Sequence, residues 1–183
     1  MAYYYLDFRD TRKQDRYGLL SSLLSQLSAK SNTCSEVLFQ LRSNHPAGTG
    51  KPTTRALTDC LKDMLRLPGQ GQNYIIVDGL DECPDTQGAP SVREEVLELV
   101  TELVGLKLPN LHLCVASRPE TGIRRTLEPL EPLQISLHDA EGQKDDIVKY
   151  IESAVQSVIW MRKWEDKDKN LIIQELSKRA GGT

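Results

Sequence analysis

A chain of 183 residues, 39% of them hydrophobic and 27% charged, has enough apolar surface for one domain of ordinary size with a packed core. The formal net charge of −3 gives no general attraction to nucleic acid or to anionic membranes, and Arg12, Lys13 and Arg16 are the nearest approach to a basic patch. No apolar stretch is long enough for a membrane span, and the opening Met1-Ala2-Tyr3-Tyr4-Tyr5-Leu6-Asp7 lacks the basic and apolar regions of a secretory leader, so the chain reads as cytoplasmic.

Tyr3 to Phe8 is short, aromatic and apolar and is followed by a charged turn, which predicts a strand. Leu20, Leu23, Leu24 and Leu27 stand at helical spacing and predict an amphipathic helix over about 15–29. A second short helix is expected around Glu36 to Arg42, and the Gly- and Pro-bearing stretch His45 to Pro52 is expected to be loop. Leu57, Leu61, Met64 and Leu65 mark a further helix, stopped by Pro68-Gly69. Tyr74-Ile75-Ile76-Val77, closed by Asp78-Gly79, is the continuous apolar run of a strand buried on both faces of a parallel sheet. Ser91, with Glu94 three residues on, has the form of a capping box opening a helix that carries Val92, Val96, Val100, Leu103 and Val104. Strands are expected at Leu111 to Ala116 and Leu133 to Leu137, then a long helix with Ile147, Ile151, Val155 and Val158 on one face. A last helix over Leu171 to Lys178 is expected to stop at Gly181. Strands alternating with helices predict an α/β fold with a largely parallel sheet.

In such sheets ligands bind beyond the carboxyl ends of the strands. Asp78-Gly79-Leu80-Asp81-Glu82 places three carboxylates within five residues directly after the apolar run, the Walker B arrangement. A strand-fixed Asp78 can help hold Mg²⁺ beside nucleotide phosphates, and a second carboxylate can orient or deprotonate an attacking water. Leu113-Cys114-Val115-Ala116-Ser117-Arg118-Pro119 ends the next strand, where an Arg can reach a terminal phosphate. Each feature alone also fits a plain acidic turn or a surface ion pair; their pairing across an intervening helix favours the nucleotide reading. An unrelated α/β enzyme using Asp81 and Glu82 as an acid–base pair is a further reading.

Tyr74 to Cys83 resembles the Walker B block of NACHT domains, which belong to the STAND class of signalling NTPases, and Leu113 to Glu120 resembles the sensor block of that family. Tyr3 to Asp10 is similar to the segment that follows the P-loop helix in fungal NACHT proteins, many of which end in ankyrin or other repeats. The resemblance implies a partial P-loop NTPase three-layer sandwich over 1–140 and a helical extension over 141–183. It implies Asp78 as the Mg²⁺ ligand, Asp81 and Glu82 as the residues serving the hydrolytic water, and Ser117 with Arg118 at the nucleotide. It further implies ATP or GTP as ligand and a switch that oligomerises beside neighbouring repeat or effector domains.

A phosphate-binding G-x-x-x-x-G-K-[S/T] loop is not found in the sequence. The nearest stretch is His45 to Pro52. It has His45 for the first Gly, Pro52 for the Ser or Thr that meets Mg²⁺, and no apolar strand before it. The family's true P-loop lies upstream of the strand that opens this chain, so the chain is expected to be a fragment that does not hydrolyse nucleotide alone. A non-catalytic interaction module is the alternative. Without the P-loop strand two sheet edges would be unpaired, and a poorly stable or self-associating chain is expected. The four cysteines, Cys34, Cys60, Cys83 and Cys114, show no metal-site spacing, and Cys83 is a nucleophile candidate only by its place beside the acidic run.

Overall fold

The computed structural model describes residues 1–45, 50–85, 90–136 and 143–180. The chain divides into two compact units, Met1–Pro132 and Leu133–Thr183. The first holds β1 (Ala2–Tyr5), α1 (Arg16–Ser28), α2 (Asn32–Ser43), α3 (Thr54–Arg66), β2 (Asn73–Asp78), α4 (Val92–Gly105), β3 (Leu111–Val115) and α5 (Thr121–Leu127). The second holds α6 (Gln143–Ser157) and α7 (Asp166–Ala180), joined through a 3-10 turn at Ile159–Lys163.

Four helices of the first unit start where the sequence supplies a cap. Asp15, Ser31, Thr53 and Ser91 each accept a hydrogen bond from a backbone N–H three residues on. At Ser91 the box closes, because the Glu94 carboxylate accepts the Ser91 N–H in return at 2.8 Å. Between the helices run three parallel strands in the order β1-β2-β3, with Tyr4 beside Val77 and Val77 beside Val115.

The three-layer sandwich is not formed. Helix dominates the described residues, and the sheet has only three short strands. Alternation along the strands gives the reason. Ala2, Tyr4, Leu6, Ile75 and Val77 are buried in one core with Leu19, Leu20, Leu23, Leu61, Met64 and Leu99. Tyr3, Tyr5, Tyr74, His112 and Cys114 point the other way and stay exposed. Within this unit the helices cover one sheet face, so β2, expected to be apolar on both faces, is buried on one. Tyr74 instead stacks on His112, ring centroids 4.7 Å apart, and Tyr3 meets Tyr5 edge-on at 5.6 Å.

The strand expected at Leu133 to Leu137 is absent over 133–136, where Leu133 is 92% and Ile135 75% exposed; Leu137 lies outside the described residues. An alternating run becomes a strand only when a neighbour takes its ladder hydrogen bonds, and no described strand does so here. Sequence patterning also missed α5, whose seven residues are too few to show a helical period. Residues 46–49 of the P-loop look-alike and the expected stop at Gly181 lie outside the described residues as well.

The two sheet edges differ. The Gln26 side chain on α1 accepts from Tyr3 N–H at 3.0 Å and donates to Tyr3 C=O at 2.7 Å, closing the outer edge of β1 as a strand would. The outer edge of β3 has no strand beside it among the described residues.

An ion cluster crosses three helices of the first unit. Arg16 on α1, its side chain only 10% exposed, reaches Glu98 at 2.7 Å and Glu102 at 2.8 Å on α4 and Thr58 Oγ1 at 3.3 Å on α3. Lys62 on α3 completes the cluster at Glu102. Burial pushes the Glu102 carboxyl up, but the hydrogen bonds from Lys62 and Arg16 outweigh it and hold the group below its ordinary value. In the second unit Ile151 and Val155 are buried on α6, and Trp160 meets Trp164 edge-on at 5.5 Å.

Removing Arg16 leaves Glu102 short of a partner and opens the α1–α4 contact. Arg16→Ala should cost about 3 kcal/mol in urea unfolding, toward the low end for a broken buried pair because Glu98 is mostly in water. A change within about 0.5 kcal/mol would remove the cluster from the account. Because the folded pKa of Glu102 is lowered, its contribution is present above the ordinary carboxyl value and fades as pH falls through the folded one. Parent and Glu102→Gln should therefore converge in stability on acidification.

Candidate functional site

β2 is the central strand, and its end is stitched to both neighbours. Leu6 N–H donates to Asp78 C=O at 2.9 Å beyond β1, and Leu80 N–H donates to Ala116 C=O at 3.1 Å beyond β3. Between these bonds the chain turns at Gly79, with φ 73°, into the 3-10 turn Leu80–Glu82. Glycine is required there twice over: the backbone is left-handed, and an added Cβ would stand 2.9 Å from Leu6 O. Leu80 is wholly buried and anchors the turn. Asp81 and Glu82 are thereby projected beside the end of β3.

The Asp81 carboxylate accepts Arg118 N–H at 3.0 Å through Oδ1, and its Oδ2 lies 3.5 Å from Arg118 Nε. Asp81 is nearly buried, at 12%, whereas the Arg118 side chain is 85% exposed. Glu82 turns the opposite way and accepts Phe8 N–H at 3.3 Å beyond β1. Phe8, Gln14, Asp81, Glu82, Arg93 and Arg118 are among the residues lining an open cleft of about 460 Å³ at this end of the sheet. The structure thus brings Asp81, Glu82 and Arg118 to one cleft. Asp78 sits half-buried at the strand end and does not line it, and the exposed Ser117 hydroxyl donates to Arg118 C=O at 2.8 Å.

The carboxylates of 78–82 do not converge. Among the described residues no three His, Cys, Asp or Glu side chains are grouped so as to hold a metal. That suits Mg²⁺ only in the manner of phosphate-assisted sites, where one or two carboxylates share the ion with waters and phosphate oxygens. Asp78 suits that donor set, and the described residues offer no all-protein cage.

Arg93 was not singled out by sequence reasoning, yet it is the most connected side chain at the cleft. From the second residue of α4 its Nη2 donates to Asp81 C=O at 2.9 Å and its Nε to Cys83 C=O at 3.1 Å, while Nη1 meets Glu120 at 2.6 Å. The only signal in the sequence is a cation in the first turn of a helix, where the helix dipole disfavours it.

Cys83 is no nucleophile. It is buried, its thiol donates to Gln14 C=O at 3.2 Å, and burial, opposed by Arg93, pushes the thiol up to about 11. Two of the three histidines are in ordinary contacts, His45 Nδ1 with Leu41 O at 3.0 Å and His112 with Gln72 at 2.6 Å; His138 lies outside the described residues. Cys114, on the open sheet face, is the one exposed thiol. Titration of the folded chain with Ellman's reagent should give one fast thiol that disappears in Cys114→Ser. A fast signal that persists in that variant, and is lost instead with Cys83→Ser, would contradict the burial of the acidic turn.

A family model described as nephrocystin 3, N-terminal, matches residues 1–118, taking in all three strands and ending on Arg118. No match was found among curated proteins or among solved structures. The family matched is therefore not the NACHT family that the motifs resemble. Since the match spans well over half of the sequence, the chain belongs to the nephrocystin 3 N-terminal family.

Proposed function

We propose that this chain supplies the carboxylate side of a Mg²⁺–nucleotide site, for ATP or GTP, in a signalling NTPase of the NACHT kind. The observation that carries the reading is the Asp81–Arg118 pair, which joins the ends of adjacent parallel strands at the mouth of a cleft. Asp78, fixed at the end of β2, is the residue that would hold Mg²⁺. Bound Mg²⁺ supplies charge neutralisation at the phosphates. Asp81 and Glu82, each a hydrogen-bond acceptor at the cleft, are the groups that would orient or deprotonate an attacking water. Arg118 is held to Asp81 by one long side-chain contact and is largely in water, so its guanidinium is available to a terminal phosphate oxygen. Ser117 lies next to it.

The cradle of backbone N–H groups that grips phosphate is not encoded in these residues. Hydrolysis therefore needs residues beyond them, and repeat or effector domains and further copies of the protein are the partners of such a switch. A second reading, an interaction module without chemistry, draws on the exposed face of Tyr3, Tyr5 and Tyr74 and the open edge of β3. No helix among the described residues is long and apolar enough to cross a membrane.

Mn²⁺ added with millimolar ATP or GTP, whose phosphate oxygens complete its coordination, distinguishes the two readings by paramagnetic broadening of amide resonances. The nucleotide reading expects broadening centred on Asp78 to Glu82 in the parent and its loss in Asp78→Asn. Broadening that is absent there, or unchanged by the substitution, sinks this reading and leaves the interaction module.

A further inference from the structure

We infer that Arg93 is the positioning residue of the acidic turn, a role that rests on the nucleotide reading above. Its guanidinium is 12% exposed and touches three separate pieces of chain: the carbonyls of Asp81 and Cys83 after β2, Asp85 at 3.5 Å in the following loop, and Glu120 at the start of α5. Its own backbone N–H donates to Pro84 C=O at 3.2 Å. Arg93 thus ties the turn after β2 to the segment after β3 without engaging the carboxylates of Asp81 and Glu82.

The geometry explains why this must be arginine. Two carbonyls and a carboxylate lie in different directions, and only a planar fork with five donors meets all three in one rotamer. A lysine would reach one at a time. The cost of a cation in the first turn of α4 is offset by Glu120 and by Asp85, both facing it, and by Glu94 and Glu95 in the same turn. By fixing the Asp81 carbonyl, Arg93 fixes the backbone from which the Asp81 carboxylate turns to Arg118. It touches neither Asp78 nor the side chain of Asp81 or Glu82, so it acts through them and carries no chemistry of its own.

Hydrogen exchange of single amides in the full chain tests this. Arg118 N–H, bonded to Asp81 Oδ1, is the reporter, and the buried strand and helix amides of Ile75 and Leu99 are the references. Arg93→Gln should speed exchange at Arg118 by at least about tenfold, as expected for losing hydrogen bonds to a charged donor, with the references unchanged. Arg93→Lys should not restore it. Glu120→Gln, at a half-exposed position that leaves the fold intact, should give a smaller rise of about threefold. Unchanged exchange at Arg118 in both Arg93→Gln and Glu120→Gln overturns the assignment. So does a rise shared equally by Ile75 and Leu99, which makes Arg93 a plain stability residue. If Arg93→Gln does not fold, Glu120→Gln alone decides. Failure of the Mn²⁺ mapping in the parent chain would remove the nucleotide reading without altering these exchange rates, so the two results separate.

Discussion

Everything at the cleft depends on β2 being held from both sides at its carboxyl end. The bonds from Leu6 N–H to Asp78 C=O and from Leu80 N–H to Ala116 C=O leave the chain one way to turn, through the left-handed Gly79 into a single 3-10 turn. Parallel pairing matters because it puts the ends of β1, β2 and β3 at the same side of the sheet. Three short strands are enough for that. Phe8, Glu82, Asp81 and Arg118 meet because their strands end together, and Arg93 reaches across from α4 to keep them so.

The sheet itself is half dressed. One face is packed on α1, α3 and α4 through leucines and Met64, and the Arg16 cluster spans the same three helices at their rim. The other face offers Tyr3, Tyr5, Tyr74 and His112, side chains that tolerate water better than aliphatic ones because each carries a polar tip. Their mutual stacking lowers the apolar area left exposed. At β1 the edge is closed by Gln26, while at β3 no strand stands beside it among the described residues.

Helices were legible in the sequence from leucine spacing, as at Leu20, Leu23, Leu24 and Leu27, and from capping chemistry, as at Ser91 with Glu94. β2 and β3 were legible as apolar runs, and the meeting of their polar ends followed, because strand ends are fixed by the strands themselves. Sheet coverage was not legible. Tyr74 and Ile76 read as buried by composition, yet whether a second helix layer exists is a tertiary fact that no local pattern encodes. Leu133 and Ile135 alternate as a strand would, but a strand needs a partner and no described strand supplies one. Arg93 escaped notice for a related reason: its acceptors are two backbone carbonyls, and carbonyls leave no mark in a sequence. The acidic run did not identify the family, which the match over residues 1–118 assigns to nephrocystin 3 N-terminal proteins.

The central proposal is that Asp78, Asp81, Glu82 and Arg118 serve a nucleotide whose phosphates these residues alone do not grip. Calorimetric titration of Mg-ATP and Mg-GTP into the chain, with phosphate release followed in the same samples, tests it most directly. The account predicts no turnover and no binding in the low-micromolar range, since a few carboxylates and one arginine do not replace a backbone cradle. Low-micromolar binding that vanishes in Asp78→Ala would contradict it, for the chain would then hold phosphate by itself.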